Sequence, residues 1–352
     1  MKNRLRKCKF YTATTAVLLV LGLSVFNMPA YSQEQSAFDV WLAELRNEAV
    51  AKGFSQDVIN LAFSEIAEPV ARIVTNDRNQ AEVVQTYADY LDARVTEWRQ
   101  RNGKARMAEH RDLLNEVAAE YGVQSQFIVS IWGVETNFGT FPLTEPLFSS
   151  LATLAYDKRR SELYRAQFFA ALTMLDSGFP PYNKMKSSWA GAVGQSQFIP
   201  ESYLRYAVDF DKDGKRDIWD TNADVFASIA NYFAQLGWSR DETWGRKVRL
   251  PTGQEDVLVT NQTGGLAPDK NCARYKTLGV WRDIQDWQQL GLRADDGSDL
   301  PGSSIPAALI VADPGDDKGY LVYCNFCTIM RFNPAFKYAL SIGLMADLVD
   351  EN

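Results

Sequence analysis

The 352-residue sequence predicts a mainly α-helical fold with a small β-rich insert, an α+β architecture. Three observations carry that expectation. Apolar residues recur at helical spacing from Phe38 to about Ala234. Near Trp238 the character changes to short runs bounded by turn residues. A helical stripe then returns, with Phe336, Leu340, Leu344 and Leu348 on one face.

Taken in order, the chain opens with a basic run of Lys2, Arg4, Arg6, Lys7 and Lys9 and an apolar stretch from Thr12 to Phe26. Small residues at Ala30 and Ser32 then offer a cleavage site, so residues 1–32 read as a secretory signal peptide. Cys8 precedes the apolar stretch and cannot be a lipid-attached cysteine of the mature chain. Phe38, Trp41, Leu42, Leu45 and Ala49 form one helical face. Ser55 is a candidate N-cap for a second helix carrying Val58, Ile59, Leu61 and Ala62. A long helix is expected from about Glu82 to Arg101, another from Ala108 to Tyr121 ended by Gly122, and further ones over Gln124–Phe138 and Ser161–Leu175. Short strands are expected at 247–250, 257–260, 307–312 and 320–323, the last two joined by a turn-rich run, and a closing helix over Pro334–Val349. The expected division is a helical core over 33–238, a β-rich subdomain over 239–323, and a return to the core over 324–352.

Composition excludes several function classes. Hydrophobic residues are 46% and charged residues 23%, as in an ordinary globular chain. A net charge of -7 opposes nucleic-acid phosphates, so nucleic acid is not an expected partner. The single histidine, His110, lies between Glu109 and Arg111 in a stretch that reads as solvated, which leaves a Ser-His-Asp triad or a His-ligated zinc without its ligand. After the signal, Cys272, Cys324 and Cys327 would allow one disulfide and leave one thiol. Cys324-Asn-Phe-Cys327 has CxxC spacing, but it reads as strand running into loop with no helix after it, which argues against a thioredoxin-like role.

Three segments carry the chemistry. Phe127-Ile-Val-Ser-Ile-Trp-Gly-Val-Glu135 is apolar until its last residue. Desolvation disfavours a charged carboxylate, so Glu135 should stay protonated near neutral pH, as a general acid for a glycosidic oxygen must. The competing reading is a structural glutamate bonded to nearby amides. The segment from Ser187 to Tyr203 is rich in glycine, small residues and amides, with Trp189, and could form a sugar-binding rim or a plain loop. Asp209-Phe-Asp-Lys-Asp-Gly214 follows the D-x-D-x-D-G pattern of a calcium loop. Asp209, Asp211, Asp213 and the Lys215 carbonyl would be ligands. Asp220 stands where a strict loop has Glu, and Asp224 is the candidate closing carboxylate.

These segments, in this order, resemble the lytic murein transglycosylase B family. The matching motifs are Gly133-Val-Glu-Thr-Asn-Phe-Gly139, Ala190-Gly-Ala-Val-Gly-Gln-Ser-Gln-Phe-Ile-Pro200 and Ala207-Val-Asp-Phe-Asp-Lys-Asp-Gly214. Asn231-Tyr232-Phe233, Asn325-Phe326 and Arg331-Phe332-Asn333 also fit. The resemblance implies a lysozyme-like helical core with an α-helical subdomain and a structural Ca2+ site. It implies Glu135 as the sole acid/base, with Ser188, Gln197, Tyr232, Asn325, Arg159, Arg160 and Tyr90 as substrate-binding residues. The family's membrane-bound members carry a lipid-attached cysteine that is absent here, and Cys327 stands where an aromatic is usual. The function implied is cleavage of the MurNAc-GlcNAc bond of peptidoglycan with 1,6-anhydro ends, by a periplasmic monomer whose partners are glycan strands and cell-wall assembly proteins. The alternatives are a hydrolytic lysozyme-type muramidase, and a non-catalytic, calcium-stabilised peptidoglycan-binding protein.

Overall fold

A computed structural model describes residues 30–251, 265–313 and 317–350, with side chains from Ala37 onward. The basic and apolar runs that open the chain and the strand expected at 257–260 lie outside the described residues.

The first half is helical: α1 (Ala30–Ala51), α2 (Gln56–Phe63), α3 (Ala71–Arg78), α4 (Ala81–Val84), α5 (Tyr87–Arg94), α6 (Glu97–Glu109), α7 (Arg111–Tyr121) and α8 (Ser125–Thr136). Local chemistry sets their ends. Ser55, Thr86 and Thr96 adopt extended backbone, and each hydroxyl accepts an amide of the turn that follows, from Val58, Asp89 and Arg99. Two of these caps correct the sequence expectation. The one helix expected from Glu82 to Arg101 is α4, α5 and the start of α6, because Thr86 and Thr96 each break the hydrogen-bond ladder and start a new helix. Gly122, at φ 71, closes α7 in the left-handed region.

The chain continues through β1 (Glu145–Pro146), α9 (Leu147–Tyr156), α10 (Ser161–Asp176), β2 (Lys186–Ser187), α11 (Pro200–Tyr206) and α12 (Asn222–Gln235). Strands β1 and β2 pair antiparallel, Glu145 opposite Ser187. The core is built around α8, buried from Phe127 to Val134 and again at Thr136.

The insert is one antiparallel sheet. Strands β3 (Gly245–Arg249), β4 (Trp281–Asp283), β5 (Arg293–Ala294), β6 (Pro306–Val311) and β7 (Lys318–Val322) lie in the order β4-β6-β7-β3-β5. Helix α13 (Ile284–Gln289) contributes Ile284 and Trp287 to a second small core with Val248, Leu292, Leu300, Ala307, Leu321 and Tyr323.

Two helices return the chain to the main core: α14 (Cys324–Phe332) and α15 (Phe336–Val349), the latter lying along α8 and touching α5 and α6. Cys324 to Cys327 is thus the first turn of a helix, a second correction. Tyr323, in extended backbone directly after β7, is its N-cap residue. Cys272 and Cys327 form a disulfide, and Cys324 is free. Trp244 joins insert to core. Its ring lies against Gly343 of α15, where a Cβ would come within 2.2 Å, and its indole donates to Asp347 at 3.0 Å.

Candidate active site

Glu135 is the last but one residue of α8. After it the chain reverses through three left-handed residues, Asn137 (φ 49), Phe138 (φ 60) and Gly139 (φ 76). The reversal is tied down. Arg99 of α6 donates to Asn137 Oδ1 at 2.9 Å and to the Gly133 carbonyl at 3.2 Å. Gln195 stitches the glycine-rich segment to α8: its Oε1 accepts from the Trp132 indole at 2.7 Å, and its carbonyl accepts from Thr136 Oγ1 at 2.9 Å.

Glu135 opens onto a groove of about 1040 Å³, whose lining includes Glu82, Arg94, Arg160, Gln167, Ser188, Trp189, Gln197 and Asn333. Part of its surface faces the groove, while the packed side chains around it strip much of its hydration. That desolvation pushes its carboxyl up from the ordinary 4.5 to about 7, while the Tyr338 hydrogen bond and Arg94 pull it down and Glu82 pushes it up. Tyr338 of α15 donates to Glu135 Oε1 at 2.6 Å. Burial, then the adjacent Glu135, hold the Tyr338 hydroxyl well above its ordinary range, so it remains a donor. The proton of the neutral carboxyl is therefore left to Oε2.

The structure brings some of the expected substrate-binding residues to the groove and not others. Ser188, Gln197 and Arg160 line it. Gln197 is in left-handed backbone (φ 52), and its side-chain amide donates to the Gly194 carbonyl at 3.0 Å. Arg159 and Arg160 both grip the buried Asp77 of α3, and Arg159 is not among the lining residues. Tyr90 is fully buried below the wall and donates to Glu82 Oε1 at 3.1 Å. Tyr232 is buried and braces the end of α14, donating to the Arg331 carbonyl at 2.6 Å. Asn325 is a correction. It is completely enclosed, accepts from the Ser239 amide at 2.8 Å and donates to the Ser239 and Glu242 carbonyls, so it has no free group for a ligand.

Sequence reasoning missed Tyr338, Glu82 and Arg94, and it placed Asn333 in a matching motif without giving it a role. One signal existed for Tyr338: a tyrosine inside an apolar helix needs a partner for its hydroxyl. Glu145 and Asp157, two acids that folding could have brought near Glu135, are committed elsewhere. Glu145 pairs with Arg72 through both oxygens, at 2.8 and 2.9 Å, and Asp157 with Arg78 at 2.9 Å.

In the acidic loop, carboxylate oxygens of Asp209, Asp211 and Asp213 lie within 4.8 Å of one another. Lys212 (φ 63) and Gly214 (φ 89) supply the turn, and the Gly214 amide donates to Asp209 Oδ2 at 2.9 Å. Three hard oxygen donors on a tight turn suit a calcium ion. Lys215 donates its amide to Asp213 at 2.8 Å, which keeps it within the turn. Asp224 departs from the expected ligand role. It is fully buried beneath the loop, and its two oxygens accept the Phe210 and Asp217 amides, each at 2.7 Å. It anchors the loop from below.

Residues 37–347 match the family described as "Transglycosylase SLT domain". The chain is 32% identical to membrane-bound lytic murein transglycosylase B of Escherichia coli (strain K12) over 251 residues, which is 70% of this chain and 63% of that protein. The chain thus spans less than two thirds of that relative's length. Among solved structures, SltB3 from Pseudomonas aeruginosa in complex with NAG-NAM-pentapeptide matches at a TM-score of 0.79 and 37% identity, covering 90% of this chain and 80% of that one. The Escherichia coli lytic transglycosylase Slt35 in complex with calcium matches at 0.70 and 26%, covering 87% and 91%. The fold is that of these lysozyme-like enzymes.

Proposed function

The chain belongs to the transglycosylase SLT-domain family, and from that premise we propose that it is a lytic transglycosylase that cuts the MurNAc-GlcNAc bond of peptidoglycan and leaves 1,6-anhydro ends. One observation carries the reading: a carboxyl held near neutral pH by desolvation, opening onto a long groove with one oxygen fixed by Tyr338. Oε2 gives its proton to the glycosidic oxygen as the bond to C1 breaks. Tyr338 then stabilises the carboxylate it faces. That carboxylate takes the proton of the muramoyl 6-hydroxyl, whose oxygen closes on C1. A hydroxyl already in the substrate has a large proximity advantage over bulk water. Ser188, Gln197 and Arg160 are the groove residues we assign to the glycan. The complex of SltB3 with a NAG-NAM peptide supports this substrate class.

We assign calcium to Asp209, Asp211 and Asp213 as a structural ion, supported by the calcium complex of Slt35. It would neutralise three converging carboxylates and contribute nothing to bond cleavage. We place the mature chain in the periplasm. The membrane-bound name of the first relative supports an envelope protein, and no helix among the described residues is long and apolar enough to cross a membrane.

Digestion of purified peptidoglycan tests the reading. Released muropeptides are expected to end in anhydro-muramic acid, lighter by one water than hydrolysed ends and resistant to borohydride. Mainly reducible muramic acid ends would replace the transglycosylase with a lysozyme-type hydrolase.

A further inference from the structure

We propose that Glu82 and Arg94, seated on the buried Tyr90, are opposed positioning charges that govern the acid function of Glu135 from the wall of the groove. The proposal rests on Glu135 being the acid.

The geometry begins with Tyr90, which has no exposed surface. Its hydroxyl donates to Glu82 Oε1 at 3.1 Å, and the Arg94 guanidinium lies 4.9 Å from its ring centroid. Tyr90 and Arg94 are four residues apart on α5, which puts them on one face. Glu82 comes from α4, so one buried ring locates two opposite charges, and both line the groove together with Glu135.

The support beneath them comes from three directions. Lys337 of α15 donates to the carbonyls of Glu82, at 3.2 Å, and of Gln85. Asp313, which follows β6, accepts the Tyr87 and Ala88 amides at 3.3 and 3.2 Å and so braces the first turn of α5. Arg99 of α6 donates to the Ala93 and Arg94 carbonyls, each at 2.9 Å. Charges held this firmly act on a neighbour without first having to reorganise.

Few other groups compete for Glu135. From α15 it meets the Tyr338 hydroxyl. From α6, Arg99 is spent on backbone carbonyls and Asn137. Arg160 lines the same groove but is bound to Asp77. Glu145 and Asp157 pair with arginines and are not among the lining residues. Among the described residues, Glu82 and Arg94 are left as the charges that act on Glu135, with opposite signs.

The chemistry needs both signs. A single residue that is first acid and then base must hold its proton neither too loosely nor too tightly. The negative Glu82 opposes ionisation of Glu135 and favours the positive charge that develops on the sugar ring. The positive Arg94 steadies the carboxylate after the proton has left.

The test is the upper limb of the pH–rate profile on purified glycan strands, together with a ¹³C-carboxyl titration of Glu135. Glu82→Gln should move both midpoints to lower pH, and Arg94→Gln should move both to higher pH. The ratio of activity at pH 8 to that at pH 6 should fall at least about twofold in the first variant and rise at least about twofold in the second. Glu82→Asp and Arg94→Lys should restore the wild-type profile. A merely structural role would lower rates without shifting midpoints in opposite directions. Midpoints that stay put, or that move the same way, in variants with native melting curves overturn the proposal. Glu135→Gln separates the two levels: an active Glu135→Gln enzyme removes the acid assignment itself, whereas an inactive one beside unmoved midpoints removes only the role of Glu82 and Arg94.

Discussion

Replacing Glu135 by Gln should make the protein more stable at pH 8 while abolishing cleavage. The carboxyl titrates at about 7 in the folded protein against an ordinary 4.5, because burial opposes its charge. Between those two values the folded protein holds a proton that the unfolded chain has lost, so stability falls as pH rises through that window and levels off above it. The full penalty of ionisation is about 3 kcal/mol by proton linkage, reduced to roughly 1–3 kcal/mol because the groove admits some solvent to the carboxylate. Gln keeps the shape and an oxygen to accept from Tyr338 but never ionises. The assay is urea unfolding of wild type and variant at pH 4.5 and pH 8. The variant should gain roughly 1–3 kcal/mol at pH 8 and little at pH 4.5, and lose at least about a hundredfold in rate. An equal stability difference at both pH values would refute the reasoning, because the penalty assigned to Glu135 would then not depend on its proton.

Three further outcomes are expected. Chelator should lower the melting temperature of calcium-loaded protein, and Asp211→Ala should abolish that response, since an ion bound only to the native state stabilises it by mass action. Asn325→Ala strands the Ser239 amide and two carbonyls, so urea unfolding should show a loss of about 2–4 kcal/mol, with the pH profile of any remaining activity unchanged. Changing Cys272 and Cys327 to Ser together opens a link across 55 residues and should cost about 2–4 kcal/mol in the same assay.

Glu135 and the acidic loop could be found in the sequence because each is a local signal: one acid ending an apolar run, and carboxylates at alternate positions before a glycine. The wall of the groove had no such signal. Glu82 and Arg94 lie within a stretch whose periodicity suggests one continuous helix, and Thr86 divides that stretch between them. Asn325 and Asn333 show the complementary limit. Both belong to motifs near the chain's end, but Asn325 is enclosed at the start of α14, whereas Asn333, in extended backbone just after that helix, reaches the groove. Spacing alone does not decide between an asparagine that satisfies backbone groups and one left free to meet a ligand.

The contact between Asp313 and the start of α5 makes the β-rich insert a strut for a wall it does not form. Replacing Asp313 by a residue without a carboxylate would loosen the mount of Tyr90 without touching any groove residue. A version of this chain trimmed toward the helical core should therefore keep the segment that carries Asp313.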